Sequence, residues 1–216
     1  MLTISNKGKL MPESPIRKLV PYAERAKKKG VRVFHLNIGQ PDIETPPSAM
    51  DAVRNSDIKV LAYSKSEGDF ELRNKISDYY SKINIHIDES QVIVTSGASE
   101  ALLFTIGSIM DPDDEVIIPE PFYANYNGFS AANGVNIVPI FSSIENNFEL
   151  PKIQEFERLI TPKTKAILIC NPNNPTGYVY SHNEIKTLVD IVKKHNLYLI
   201  ADEVYREFTY DNTFHT

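Results

Sequence analysis

The chain is predicted to fold as an α/β protein with a mostly parallel, doubly wound sheet flanked by helices. Two observations predict this. The apolar runs Ala166-Ile167-Leu168-Ile169-Cys170 and Leu197-Tyr198-Leu199-Ile200-Ala201 are continuous, not alternating, as expected of strands buried on both faces. Between them Ile185, Leu188, Val189 and Val192 form one helical stripe. Strands alternating with helices in this way argue for parallel pairing. The composition, 216 residues with 42% apolar and 24% charged, is ordinary globular usage. A net charge of −5 offers no basic surface for nucleic acid or an anionic membrane. The single cysteine, Cys170, lies in a predicted core strand, so a reducing compartment, the cytoplasm, is expected and a disulfide framework is not. No apolar run approaches the ~20 residues of a membrane span. The opening MLTISNKGKLMPESP lacks the apolar block of a signal peptide.

Taken in order, residues 1–13 read as an arm. Ser14-Pro15 reads as an N-cap with proline at the first helical position, opening a helix that stops at Gly30, with a kink or a late start at Pro21. Val31 to Leu36 is predicted to be a strand leading into the turn-rich loop Asn37-Ile38-Gly39-Gln40-Pro41-Asp42. A small helix is expected from Pro47 to Asn55 and a strongly amphipathic one from Asp69 to Lys82. From Gln91 the α/β rhythm sets in. Predicted strands at Val92–Val94, Val116–Ile118 and Val135–Ile140 alternate with helices at Ala101–Met110, Asn125–Ala132 and Lys152–Ile160. The strand, helix, strand unit from Ala166 to Ala201 completes the series, its helix running from about Asn183 to Lys194.

Ligands of open α/β sheets sit at the carboxyl ends of the strands, so polar residues there are the candidates. Gly97-Ala98-Ser99 lies where a strand turns into a helix: either a cradle of backbone N–H groups for a phosphate, or a capped helix start. It is neither G-x-G-x-x-G nor a Walker loop. Asp202 follows four apolar residues and needs a partner, either a cationic ligand atom or the next helical turn through Tyr205. Asn174 and Tyr205 leave neighbouring strand ends and could both donate to one ligand oxygen; turn chemistry and core packing are the plainer readings. Tyr123 could stack on a planar ring or be one more buried aromatic, and Tyr63 sits in an aperiodic loop. None of the five histidines has metal-ligand spacing, so no metal is expected, and no Gly-x-Ser-x-Gly elbow supports hydrolysis.

Together these blocks resemble the aspartate aminotransferase family, the class I aminotransferases among the fold type I pyridoxal phosphate enzymes. The resemblance runs from Gly39-x-Pro41-Asp42 through Tyr63, Gly68 with Glu71-Leu72-Arg73, and Thr95-x-Gly97-Ala98-x-Glu100. It continues through Pro119-x-Pro121-Phe122-Tyr123 to Asn171-Pro172-Asn173-Asn174-Pro175-Thr176-Gly177 and Asp202-Glu203-Val204-Tyr205. It implies pyridoxal 5'-phosphate as cofactor and transamination between an amino acid and a 2-oxo acid. Gly97, Ala98 and Ser99 would hold the phosphate, Tyr123 would stack on the ring, and Asn174 and Tyr205 would bond its phenolic oxygen. Asp202 would pair with the ring nitrogen, so that Asp202 and Tyr205 tune the cofactor's electronics. Tyr63 would reach the phosphate of a neighbouring subunit, implying a homodimer, and Gly39 with Asn174 would meet the substrate carboxylate.

The resemblance also implies an arm and small-domain segment over 1–45 and a cofactor-binding large domain over 46–216. The family's cofactor-bonding lysine lies beyond Thr216, so the chain reads as the amino-terminal portion of a longer enzyme and is expected to be inactive alone. An incomplete large domain, its tail of Phe208, Tyr210 and Phe214 unable to cover a sheet edge, is expected to aggregate. A β-lyase or synthase on the same scaffold and a non-catalytic cofactor-binding module are the alternatives.

Overall fold

A computed structural model describes residues 2–210; Phe214 lies outside them. Helices are α1 (Asn6–Leu10), α2 (Val20–Lys28), α3 (Pro47–Arg54), α4 (Phe70–Ser81), α5 (Ala98–Ile109), α6 (Tyr126–Asn133), α7 (Ile153–Leu159) and α8 (His182–His195). Strands are β1 (Glu115–Glu120), β2 (Asn136–Phe141), β3 (Thr164–Cys170) and β4 (Tyr198–Asp202). The chain forms two compact units, Met1–Pro12 with Ser96–Thr216, and Glu13–Thr95.

The first unit is built on a four-stranded sheet in the order β2-β1-β3-β4, with every pair parallel. The chain leaves β1 to add β2 on one side, then crosses to add β3 and β4 on the other. The strand order therefore switches between β1 and β3. Side-chain alternation along the central strands sorts the core into two layers. Val116 and Ile118 of β1 and Ala166, Leu168 and Cys170 of β3 pack with Leu102, Ile106 and Met110 of α5 and Tyr126 of α6. Ile117, Ile167 and Ile169 face the other way, onto Phe156 of α7 and Leu188, Ile191 and Val192 of α8. This two-sided burial is why these strands read as continuous apolar runs. The edge strands are less covered, and Phe141 on β2 and Tyr198 on β4 are exposed.

Helix α8 begins with a capping box: the Ser181 hydroxyl accepts from the Glu184 N–H while the Glu184 carboxylate accepts from Ser181 N–H at 2.7 Å. The same carboxylate accepts from Leu150 N–H at 2.8 Å and from the Tyr178 hydroxyl at 3.0 Å. Burial opposes ionisation of Glu184, but these hydrogen bonds outweigh it and hold its pKa below the ordinary 4.5. A depressed carboxyl stabilises the fold above its unfolded pKa and loses that contribution as pH falls through the folded value. Glu184→Gln is therefore expected to flatten the acid limb of the stability curve below about pH 4.5. Urea unfolding of both proteins across pH 3 to 7, a range of about four pH units, measures it; parallel curves would contradict this role for Glu184.

The second unit is helical. The Ser14 cap is present, its hydroxyl accepting from Arg17 N–H at 3.3 Å, but a short 3₁₀ turn over Arg17–Leu19 precedes α2, so Pro21 marks a late start. Asp69 caps α4 through Leu72 N–H at 3.0 Å. Arg73 of α4 is buried, donating to the Glu89 carbonyl at 2.7 Å and lying 3.6 Å from the Glu67 carboxylate. Gly68 has φ +103°, and a Cβ there would lie 2.6 Å from that of Val94, so only glycine fits.

Several expectations are corrected. Neither Val31–Leu36 nor Val92–Val94 is a strand. A strand exists only with a ladder partner, and here Val31 N–H returns to the Ala26 carbonyl and Val94 N–H meets the Glu67 carbonyl singly. The arm contains a helical turn, α1, capped by Ser5. Helix α5 begins three residues earlier than predicted, at Ala98, immediately after Gly97.

Candidate functional site

The carboxyl ends of β1, β3 and β4 open onto a cleft of about 280 Å³. Its lining includes Gly97, Ala98, Ser99, Tyr123, Asn174, Asp202 and Tyr205, with Cys170 and Leu102 at its base. It lies at the switch between β1 and β3, where the strand order leaves a crevice. All these residues belong to the first unit.

One wall is the start of α5. Gly97, the N-cap, adopts φ +86°, a conformation that places no side chain in front of the helix. A Cβ at Gly97 would meet nothing within 4 Å. Ala98 and Ser99 are the first two helical residues, whose N–H groups precede the first intrahelical acceptor. Glu100 is engaged elsewhere, accepting from Ser96 N–H at 2.6 Å. The result is an exposed, positively polarised turn.

The Asn171–Gly177 loop after β3 is shaped by its own side chains. Asn171 is buried and its amide oxygen accepts from Tyr180 N–H at 3.1 Å. Asn173 accepts from both the N–H and the hydroxyl of Thr176, and Gly177 turns at φ +74° with its N–H on the Asn173 carbonyl. Those residues are structural, which leaves Asn174, half-buried, as the loop's contribution to the cleft.

The far wall follows from register. Cys170 and Asp202 are paired across β3 and β4, so both side chains point to the face covered by α5 and α6. Asp202 accepts from the Tyr126 hydroxyl at 2.8 Å and from Val204 N–H at 3.2 Å. The capped turn was expected at Tyr205; the N–H that caps is that of Val204. Burial first, then the neighbouring Cys170 and Asp202, push the Tyr126 phenol far above its ordinary pKa, so it remains a proton donor. Burial and the Asp202 charge likewise push the Cys170 thiol up to about 11. Tyr126 was absent from the sequence-predicted site. Its signal was only that a tyrosine buried in a helix stripe needs a partner for its hydroxyl.

Tyr123 stands edge-on to Tyr126 with centroids 5.5 Å apart, and its hydroxyl accepts from the Asn125 amide at 2.7 Å. Tyr205 is 38% exposed and edge-on to Phe208 at 5.9 Å, so it is not a core residue. Gly39 and Tyr63 belong to the second unit, where Gly39 lies in an open loop and the Tyr63 side chain is fully exposed. Among the described residues no helix is long and apolar enough to cross a membrane.

An anion-favouring helix start, amide and phenol donors, a flanking aromatic ring and a carboxylate thus share one cleft. That donor set fits a flat, phosphorylated heteroaromatic ring with a basic nitrogen. The chain is also similar to known proteins. The chain is 40% identical over 212 residues to an aspartate aminotransferase of Thermotoga maritima, covering 94% of this chain and 55% of that protein. It is 32% identical to aromatic-amino-acid aminotransferase 2 of Thermococcus litoralis, covering 97% and 54%. The crystal structure of the Thermotoga maritima aspartate aminotransferase superposes with a TM-score of 0.92 at 35% identity, covering 99% of this chain and 57% of that one. The chain therefore spans about half the length of the relatives it matches. The family model for aminotransferase class I and II matches residues 31–216, and the chain belongs to that family.

Proposed function

We propose that this chain supplies the cofactor-holding part of a pyridoxal-phosphate-dependent aminotransferase, acting on an amino acid and a 2-oxo acid in the cytoplasm. The observation that carries the reading is the joint lining of one cleft by Gly97-Ala98-Ser99, Asn174, Tyr205 and Asp202. When bound, pyridoxal phosphate supplies an electron sink for the substrate's α-carbon. The turn at Gly97, Ala98 and Ser99 binds its phosphate through N–H groups and the Ser99 hydroxyl, favoured by the α5 dipole. Tyr123 flanks the ring face. Asn174 and Tyr205 donate to the phenolic oxygen and so hold the ring's orientation. Asp202 keeps a proton on the ring nitrogen, because a carboxylate at hydrogen-bond distance favours the charged form.

The rest of the reading extends to the whole enzyme. Residues 1–45 provide an arm and small-domain segment and 46–216 the cofactor domain, although the compact units divide elsewhere. Tyr63 reaches the phosphate held by a second copy, making a homodimer, and Gly39 with Asn174 meets the substrate carboxylate. The test uses the full-length protein. Stoichiometric uptake of pyridoxal phosphate, with amino-group exchange only when an amino acid and a 2-oxo acid are both present, is expected. Failure to take up pyridoxal phosphate would overturn the reading. Ammonia release without an acceptor would replace transfer by lyase chemistry.

A further inference from the structure

Asp202 ends an edge strand, and one face of its carboxylate opens to the cleft. A side chain there has free rotation about its own bonds unless something holds it. Two contacts do. Val204 N–H engages Oδ1 from the following turn, and the Tyr126 hydroxyl engages Oδ2 from α6, 76 residues away in the chain. Tyr126 is itself fixed: it is wholly buried, stacks with Phe122 at 6.1 Å and stands edge-on to Tyr123 at 5.5 Å. The Cys170 thiol, in the same core cluster as Tyr126, donates to the Pro172 carbonyl at 3.2 Å. Among the described residues these hydrogen-bond partners of Asp202 are neutral, and the nearest arginine in sequence, Arg206, is paired with Glu203 at 3.2 Å. Neutral donors orient a carboxylate without adding a positive charge that would compete with a cation arriving from the cleft.

We propose that Tyr126 is a positioning residue, whose hydroxyl aims the Asp202 carboxylate at a protonated ring nitrogen in the cleft. The inference rests on the reading of the cleft as a pyridoxal phosphate site. The phenol suits the task because it is rigid and buried, while its O–H donates without adding charge. A cationic donor in its place would neutralise the carboxylate and lower its attraction for the ligand. The same ring connects α6 to the carboxyl end of β4, so packing of the α5/α6 layer sets the geometry of the site.

The test compares binding of pyridoxal phosphate with that of its 1-deaza analogue, in which CH replaces the ring nitrogen, to the full-length protein and its variants. Tyr126→Phe keeps the ring packing and removes one charge-assisted hydrogen bond. It is expected to weaken pyridoxal phosphate about tenfold and leave the deaza analogue within about twofold. Equal losses for both ligands, or no loss for either, would make Tyr126 merely structural and overturn the proposal. Asp202→Asn is the control. If it too fails to discriminate between the ligands, the assignment of Asp202 to the ring nitrogen falls, and the proposal with it. Should Tyr126→Phe not fold, 3-fluorotyrosine placed at position 126 is isosteric and a stronger donor. It is expected to change the ratio of the two affinities, and an unchanged ratio would overturn the proposal.

Discussion

Asp202→Asn in the full-length protein is expected to slow amino-group transfer by on the order of a thousandfold, the size of effect that removal of one preorganised electrostatic group produces. The amide is nearly isosteric and retains an oxygen for the Tyr126 hydroxyl, now 2.8 Å from Oδ2 of the acid. It has no charge with which to hold a proton on a ring nitrogen, so on the proposed reading Asp202 would no longer support the electron-withdrawing chemistry that pyridoxal phosphate would supply there. Because only the charged state is affected, the loss should appear in the rate of each half-reaction. Substrate affinity, which rests on other groups, should change far less. Rapid-mixing measurements with a single amino acid, then with a single 2-oxo acid, separate the two. A rate loss below about tenfold would show that Asp202 does not act on the reacting system.

Phe156→Ala should have the largest effect on stability, about 3–5 kcal/mol. The side chain is wholly buried between α7 and the sheet, among Ile167, Ile169, Leu188 and Ile191. Truncation leaves a cavity between rigid elements that close in only partly. A domain stable by about 5–15 kcal/mol would lose a large share of that margin. The urea midpoint should fall with little change in slope. Phe156 lies on the sheet face opposite Tyr126, Cys170 and the cleft, so pyridoxal phosphate affinity in the folded fraction should be unchanged. A loss of under about 1 kcal/mol would contradict the packing described for this layer.

These two residues also show what could be read in advance. The α7/α8 layer was legible because Ile185, Leu188, Val189 and Val192 repeat at helical spacing beside continuous apolar strands. Most helices and four strands were placed to within a few residues for the same reason. The predicted strands at Val31–Leu36 and Val92–Val94 failed because an apolar stretch of that length carries no information about whether a partner lies alongside it. Strand identity belongs to the pair, not to the segment.

The positions of Gly97, Asn174, Asp202 and Tyr205 at the ends of apolar runs are legible in the residue order alone. Strand-to-turn boundaries are local and are written in local residue chemistry. That these residues line one cleft emerges from the packed fold, since it depends on the order β2-β1-β3-β4 and on the register pairing Cys170 with Asp202. The partner of Asp202 was likewise hidden. Tyr126 is one more aromatic on a helix until α6 packs over the sheet, and a hydrogen bond across 76 residues has no periodicity from which to infer it.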